Sequence, residues 1–248
     1  MEINVASLFA ATVVALVFAL RGGARERRTE RFWSRRSWIS GAAGVSVAYV
    51  FVDVLPELAE QNKVITAATG SDGIFAEQRI YILALLSFVV LYGLQHMVLS
   101  SREARRSAVE DGRGHDRVYR LHLAGFAAYS ALIGYLLVER ADRGIAALVV
   151  YTLAMAIHFL IVNHTLSREH GSVYRKAGHW WLAASVIVGW AAGSMMPLSH
   201  LAFARLFALL AGGVVITSIG AELPNDREGR FWPFCVGAVA FALLLLMA

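Results

Sequence analysis

The apolar residues of this 248-residue chain are gathered into runs of 17 to 20 residues, separated by short polar or basic segments. A helix rises 1.5 Å per residue, so each run matches the roughly 30 Å hydrocarbon core of a bilayer. Backbone groups in lipid must be hydrogen-bonded within their own segment, which favours helices. We identify eight spans: Asn4–Leu20, Ile39–Leu55, Ile80–Leu99, Leu121–Val138, Ile145–Val162, Trp180–Met196, Leu201–Ile219 and Phe231–Met247.

The composition agrees with a membrane protein. Apolar residues make up 58% of the chain and charged residues 17%, whereas soluble proteins carry about 25% charged residues. The predicted fold is therefore all-α and polytopic, with residues 1–248 forming a single transmembrane domain. The segments 58–78 and 100–118 are expected to be an external and an internal loop. The sixth and seventh spans are joined only by a few residues around Pro197, and merging them would leave seven spans.

The basic residues predict the orientation, because cytoplasmic loops of membrane proteins are enriched in Lys and Arg. The loops that follow spans one, three, five and seven carry seven, six, three and two of the 23 basic residues. Only Lys63, Arg79, Arg140, Arg143 and Arg205 lie in or near the alternate loops. These counts place the basic loops inside and both termini outside.

Several smaller observations narrow the class of protein. The N-terminus carries Glu2 and no basic residue before its apolar run, so we expect a retained first helix instead of a cleaved signal peptide. Lys63 and Lys176 are the only lysines, a bias typical of a high-GC bacterium, so we expect the membrane to be a bacterial inner membrane. The net charge of +5 favours contact with anionic lipids over nucleic acid, because the basic residues flank apolar spans. The single cysteine, Cys235, excludes an intrachain disulfide.

Spans two and seven share a pattern. Residues 43–56 read AGVSVAYVFVDVLP and residues 211–224 read AGGVVITSIGAELP, so both open with Ala-Gly and close with Leu-Pro at the same spacing. The loop charges give the two spans opposite directions across the membrane. A matched pair of this kind is what an inverted repeat predicts, although both dipeptides are also common at helix ends.

Ionisable groups inside a bilayer are costly, so they usually face the interior of the helix bundle. Histidine with carboxylate or amide oxygens suits zinc, iron and other borderline metals. Asp53 and Glu57 would form the outer mouth of a cation path, and His158 is the residue on which a bound cation is expected to depend most. The candidate metal ligands are His158, Asn163, His122, His96 and Glu222.

Each of these residues also has a plainer interpretation. A buried histidine is more often hydrogen-bonded to a neighbouring helix than to a metal, and carboxylates that flank Pro56 are often solvated helix caps. The chain has no HExxH, CxxC or glycine-rich phosphate loop, and no deep acid pair or Ser/His pair. We therefore expect no enzymatic activity.

The run FVDVLPELAE at residues 51–60, together with eight spans and external termini, resembles the ZIP family of divalent-metal transporters. In that family span two commonly ends in His-Leu-Leu-Pro-Glu, and here Asp53 takes the histidine position. The run LLAGGVVITSIGAELP at residues 209–224 is similar to the family's span seven. The resemblance implies an inverted 3+2+3 arrangement of helices and transport of a divalent metal.

The metal-binding spans depart from the family pattern. Gly125 and Phe126 stand where span four of the family carries His-Asn, and Tyr129 stands at the acid position. Span five keeps His158 of the family's His-Glu pair, and Asn163 would supply one further polar ligand. The resemblance therefore implies the scaffold with a reduced set of metal ligands.

The leading functional hypothesis is a membrane transporter or binder of a divalent cation, with the metal as substrate and no resident cofactor. One alternative is a non-transporting sensor or interaction protein on the same scaffold. Another is a b-type haem protein, because His96, His122 and His158 lie at comparable depth on three spans. The expected partners are the bilayer and the cation, with a homodimer as a further option.

Overall fold

A computed structural model gives the structure of the protein, and every element that it defines in the described residues is helical. The structure describes residues 4–19, 35–70, 75, 78–106, 112–222 and 230–247. The helices are α1 (Val5–Ala19), α2 (Arg35–Tyr49), α3 (Leu55–Thr69), α4 (Arg79–Arg106), α5 (Gly112–Asp142), α6 (Ile145–Val173), α7 (His179–Met195), α8 (His200–Glu222) and α9 (Phe231–Met247). Two π-helical turns, Val50–Val54 and Tyr174–Gly178, join α2 to α3 and α6 to α7.

The apolar spans predicted from the sequence are helical, which confirms the all-α class. Within the described residues, five helical stretches are long and apolar enough to cross a membrane, and the longest, Ile145–Met195, contains both α6 and α7. Two shorter apolar helices, α1 and α9, have 15 and 17 residues. The sixth and seventh spans are separate helices, because α7 ends at Met195 and α8 begins at His200. The eight-span arrangement itself stays a prediction.

The prediction that the segments 58–78 and 100–118 are loops is largely wrong, because most of their described residues are helical. The segment 58–78 is helical as far as Thr69, and of the segment 100–118 only residues 107–111 lie outside the described helices. Ala, Glu, Gln, Lys and Arg dominate these stretches and are good helix formers, so the helices continue after the apolar run ends. In α3, the Glu60–Lys63 pair, with 2.7 Å between Oε1 and Nζ, adds local support.

A π-helical turn precedes Pro56 in the second span. A proline inside a helix removes one hydrogen bond and its ring clashes with the carbonyl four residues earlier. Widening the turn by one residue relieves this conflict, and the amide of Leu55 bonds the carbonyl of Val50, five residues back. The turn thereby carries Asp53 into the end of the bundle where α5, α6 and α8 also meet.

The chain reverses direction between α6 and α7. Gly171 has φ +56° and ψ −127°, a left-handed conformation that favours glycine, and the π-helical turn follows it. Contacts between Arg140 and Tyr151 near one end, and between His122 and His170 near the other, make α6 antiparallel to α5. The α7 helix runs back beside α5 in the parallel sense.

Glycines let three helix pairs approach to backbone contact. A Cβ added at Gly134 of α5 would lie 2.0 Å from the carbonyl oxygen of Val186 in α7, and one added at Gly189 of α7 would lie 1.8 Å from that of Ala131. Close approach of this kind is a common way to hold membrane helices together, because lipid offers no hydrophobic driving force between them. The α2/α9 and α4/α8 pairs use glycines in the same way.

The matched segments of spans two and seven make matched contacts. A Cβ on Gly44 would lie 2.1 Å from the carbonyl oxygen of Phe234 in α9, and also close to the amide one turn later. A Cβ on Gly212 would lie 1.9 Å from the carbonyl oxygen of Ala84 in α4, again close to the amide one turn later. These two glycines are equivalent in the alignment of the segments. An inverted repeat that exchanges α4 and α9 would produce this correspondence, and the repeat stays a prediction.

Candidate functional site

One face of α5 carries polar groups at three levels. Side chains spaced alternately four and three residues apart lie on the same side of a helix. The buried residues of α5 that follow this spacing are His122, Phe126, Tyr129, Ile133, Leu136 and Arg140. Polar neighbours from other helices meet this face at its first, third and sixth positions, and the remaining three positions are apolar. At 1.5 Å per residue, His122 and Arg140 lie about 27 Å apart along the helix.

At the first level, His122 meets two residues from the end of α6. Its Nδ1 lies 2.8 Å from Nε2 of His170 and 3.9 Å from Oε2 of Glu169. One potential ligand atom from each of the three residues lies within 4.8 Å of the others. His122 is 1% exposed and His170 is 8% exposed. We refer to His122, Glu169 and His170 as the histidine cluster.

The histidine cluster fits a transition metal. Imidazole nitrogens bind zinc at about 2.0–2.1 Å, so two such ligands of a tetrahedral ion are about 3.3 Å apart. The nitrogens of His122 and His170 would therefore need to separate by about half an ångström to admit the ion. The aromatic rings of Tyr119 and Phe126 pack on the two imidazoles, with centroids at 4.9 and 5.0 Å, and limit their movement.

At the second level, His158 of α6 is hydrogen-bonded to two hydroxyl groups. Its Nε2 lies 3.0 Å from Tyr129 Oη and 3.2 Å from Thr217 Oγ1 of α8. The Thr217 hydroxyl also donates to the carbonyl of Gly213 at 2.7 Å. The tautomer of His158 decides which of the three groups donates, and Nε2 has hydrogen-bond partners here without a metal. We refer to Tyr129, His158 and Thr217 as the middle layer.

At the third level, the two acidic residues predicted to form a cation mouth are paired with Arg140 of α5 and with Arg143, which follows α5 directly. Arg140 Nη2 lies 3.3 Å from Asp53 Oδ2. Arg143 binds Glu57 through two hydrogen bonds of 2.8 and 3.0 Å, and Gln61 donates to the same carboxylate at 2.7 Å. We refer to Asp53, Glu57, Arg140 and Arg143 as the arginine layer. The role of Asp53 and Glu57 in an ion path stays a prediction.

The Arg140 guanidinium is enclosed by aromatic rings as well as by its acid. Its Cζ lies 5.4 Å from the ring centroid of Tyr151 in α6 and 5.8 Å from that of Phe207 in α8. The Arg140 side chain is 8% exposed, and Arg143 lies similarly over Phe203. Cation–π contacts and an ion pair together hold the arginine between α5, α6, α8 and the π-helical turn.

The remaining predicted ligands lie elsewhere. Asn163 accepts a 2.8 Å hydrogen bond from Tyr174 and donates to the carbonyl of Val17, so its amide joins α6 to α1. His96 is exposed on α4, beside the ring of Tyr92. Glu222 ends α8, and its side chain lies outside the described residues. Of the five predicted ligands, the structure brings only His122 into a cluster with other metal-binding groups, in the part of the chain that it describes.

Glu169 and His170 were missed because the predicted span ended at Val162. The structure extends α6 to Val173 and so carries both residues alongside α5. A signal existed in the sequence: Glu169 follows His158 by 11 residues, which is about three helical turns, so both lie on one face. Extending the helical period of the fifth span beyond Val162 would have placed Glu169 on the same face as His158.

An apolar cleft of about 580 Å³ opens between α4, α5, α7 and α8. Leu86, Val90, Leu132 and Val188 are among its lining residues, and the ring of Tyr129 reaches it from the middle layer. The lining offers no carboxylate or imidazole, so the cleft is not a cation site. Its position beside exposed faces of α4 and α7 suits contact with lipid chains.

Comparisons with protein-family models, with curated proteins and with solved structures gave no significant match.

Proposed function

We propose that this chain is a multi-pass membrane protein that binds a divalent metal cation through His122, Glu169 and His170. The observation that carries the proposal is the approach of two imidazoles and a carboxylate within 4.8 Å in a buried site. Two nitrogen ligands and one oxygen ligand favour zinc, iron or a similar borderline metal over magnesium and calcium, which prefer oxygen ligands only. Three protein ligands would leave a fourth position for water or for an exchanging ligand.

The cluster differs from the ligands that the ZIP resemblance implies. In that resemblance His158 and Asn163 would bind the metal, whereas here both are engaged with hydroxyl and backbone groups of other helices. We therefore propose the histidine cluster as the primary metal site and keep His158 as a secondary candidate. The haem alternative has less support, because a porphyrin plane cannot fit between two imidazole nitrogens 2.8 Å apart.

The topology is part of the proposal. Eighteen of the 23 basic residues lie in the loops after the odd-numbered spans, which supports eight spans, external termini and a position in a bacterial inner membrane. In that orientation the histidine cluster lies toward the cytoplasm and the arginine layer toward the outside. The homodimer stays a prediction.

Metal binding by the purified full-length protein tests the proposal. We expect calorimetry with zinc to show one site per chain, and His122→Ala to weaken binding by more than about a hundredfold, because even partners outside the ligand shell contribute about 10–100-fold. His96→Ala is the matched control, since His96 is exposed on α4 and should leave affinity unchanged. Equal affinities for zinc in the wild type and His122→Ala would refute the assignment.

A further inference from the structure

We propose that the arginine layer closes one end of the helical core to cations, so that the histidine cluster exchanges its metal only from the opposite end. The chain would then bind and release the metal at one end only, and would not conduct the ion across the membrane. We call such a protein a one-sided metal receptor. This inference rests on the proposed metal site. It adds the end of the helical core from which the metal enters and leaves that site. Its basis is the order of polar and apolar groups along α5, α6 and α8.

The first argument is electrostatic. An arginine side chain keeps its positive charge in proteins, and Arg140 stands buried where the π-helical turn, α5, α6 and α8 converge. The charge of Arg140 is balanced by Asp53, so a divalent cation entering at this end meets a closed ion pair in a poorly solvated site and gains no net attraction.

The second argument is that the neighbouring carboxylates are already neutralised. Glu57 holds two hydrogen bonds from Arg143 and a third from Gln61, so most of its acceptor positions are filled. Asp53 is paired with Arg140. A cation would have to compete with an arginine at each carboxylate. The two acids therefore tie α3 and the π-helical turn to α5 and to Arg143, which follows α5 directly.

The third argument is the apolar stretch behind Arg140. Ile133 and Leu136 of α5 are 0% and 1% exposed, and Met155 of α6 is 0% exposed. Tyr129 and Arg140 are eleven positions apart, which corresponds to about 16 Å along the helix. Among the described side chains on this face, none in that stretch carries a charge or an imidazole. The polar group that meets Ile133 there is the Tyr151 hydroxyl, which donates to the Ile133 carbonyl, so a cation would find no carboxylate or imidazole on this face to replace its water.

The opposite end of the core has a shorter apolar stretch and a set of groups that can bind a metal. Between His122 and the middle layer this face of α5 carries a single residue, Phe126. The histidine cluster supplies a carboxylate and two imidazoles at the point where α6 ends and the chain turns at Gly171. The histidine cluster thus lies on one side of the apolar stretch, and the arginine–carboxylate pairs lie on the other.

Zinc uptake into proteoliposomes that contain an impermeant zinc-sensitive dye tests the inference with the unmodified protein. Reconstitution in both orientations presents each end of the chain to the added zinc. We expect calorimetry in detergent to show binding, and uptake to be no faster than in protein-free liposomes. Uptake above that background overturns the one-sided receptor, even if zinc binding to the cluster is confirmed. Absence of binding refutes the proposed metal site instead.

Two matched cysteine variants test, independently of metal binding, from which end of the core a cation can reach this face of α5. In a Cys235→Ser background, Phe126→Cys and Ile133→Cys place thiols on the same face of α5, on opposite sides of Tyr129. We expect a small cationic methanethiosulfonate reagent to modify Phe126→Cys and to leave Ile133→Cys unmodified, with thermal melting used to confirm that both variants fold. Equal modification of the two, or modification of neither, contradicts access from the His122 end alone.

Discussion

His122 and His170 share a hydrogen bond, with 2.8 Å between Nδ1 of the first and Nε2 of the second. One proton serves both nitrogens, so one imidazole donates and the other accepts. The Nε2 atom of His122 is buried and has no hydrogen-bond partner among the described residues. An unsatisfied buried polar atom costs about 1–3 kcal/mol.

Zinc is expected to stabilise the protein through this pair. A ligand present at a hundred times its Kd adds about 2.7 kcal/mol to the free energy of unfolding when it binds only the folded state. The melting temperature of the wild type should therefore rise with zinc and return to its starting value with a chelator. His170→Ala should abolish the rise, whereas His200→Ala, at an exposed histidine that begins α8, should preserve it. A zinc-dependent rise that survives His170→Ala would show that the ion binds elsewhere.

The middle layer gives a separate prediction for His158. Removing the imidazole in His158→Ala leaves Tyr129 and Thr217 without their shared partner, which should lower the free energy of unfolding by roughly 1–3 kcal/mol. The affinity for zinc should stay unchanged, because the histidine cluster does not include His158. Thermal melting and calorimetry on the same preparation separate the two effects. Weakened zinc binding at unchanged stability would instead support the ligand role expected from the sequence.

The arginine layer should behave as a coupled pair. Asp53→Asn leaves Arg140 buried without its acid, and we expect a loss of about 2 kcal/mol, less than the 3–5 kcal/mol of a fully buried pair because the Asp53 side chain is 25% exposed. Arg140→Gln should cost a similar amount, and the double variant should cost less than the sum of the two. Lys63→Gln is the control, since the exposed Glu60–Lys63 pair should contribute under about 1 kcal/mol. Additive losses would argue against the pairing.

The glycine contacts between α5 and α7 predict a clear difference between two alanine substitutions. In Gly134→Ala the new methyl group would lie 2.0 Å from the carbonyl oxygen of Val186, so the helices must separate at a cost of about 1–3 kcal/mol. In Gly93→Ala the methyl group would meet no heavy atom within 4 Å. That variant should be neutral or more stable by up to about 1 kcal/mol, because alanine is the better helix former. Equal melting temperatures for the two variants would contradict the close approach.

The proposed topology can be tested by labelling in intact cells. A cysteine introduced at Arg28 in a Cys235→Ser background lies outside the described residues, in the segment that carries seven of the basic residues. We expect an impermeant thiol reagent to label it only after lysis, while a cysteine at Glu2 is labelled in intact cells. Labelling at position 28 without lysis would reverse the orientation.

The sequence predicted the helices well because the bilayer imposes a length and an apolar composition on each of them. It predicted their ends poorly, since polar residues such as Glu169 and His170 continue a helix without appearing in a hydropathy pattern. The histidine cluster lies in one of these polar extensions, which is why only His122 was foreseen.

The arginine layer could not be predicted from local pattern. Arg140 and Asp53 are 87 residues apart in the chain, and their contact depends on how α5 packs beside the π-helical turn. Counting Arg140 among the few basic residues in or near the alternate loops indicated that it lies near the end of a span and did not indicate its partner. Long-range pairing of this kind depends on tertiary packing, which a periodicity in one segment does not contain.

The ligands of the histidine cluster all fall between residues 122 and 170, on two consecutive helices. The arginine layer, by contrast, joins Asp53 to α5 and uses Phe207 of α8. Because a chain is synthesised from its N-terminus, the histidine cluster is complete before α8 has been made, whereas the surroundings of Arg140 are not. A nascent chain that has inserted α5 and α6 therefore already holds all three residues of the proposed metal site. On this proposal, the order of synthesis allows the site to form while the surroundings of Arg140 are still incomplete.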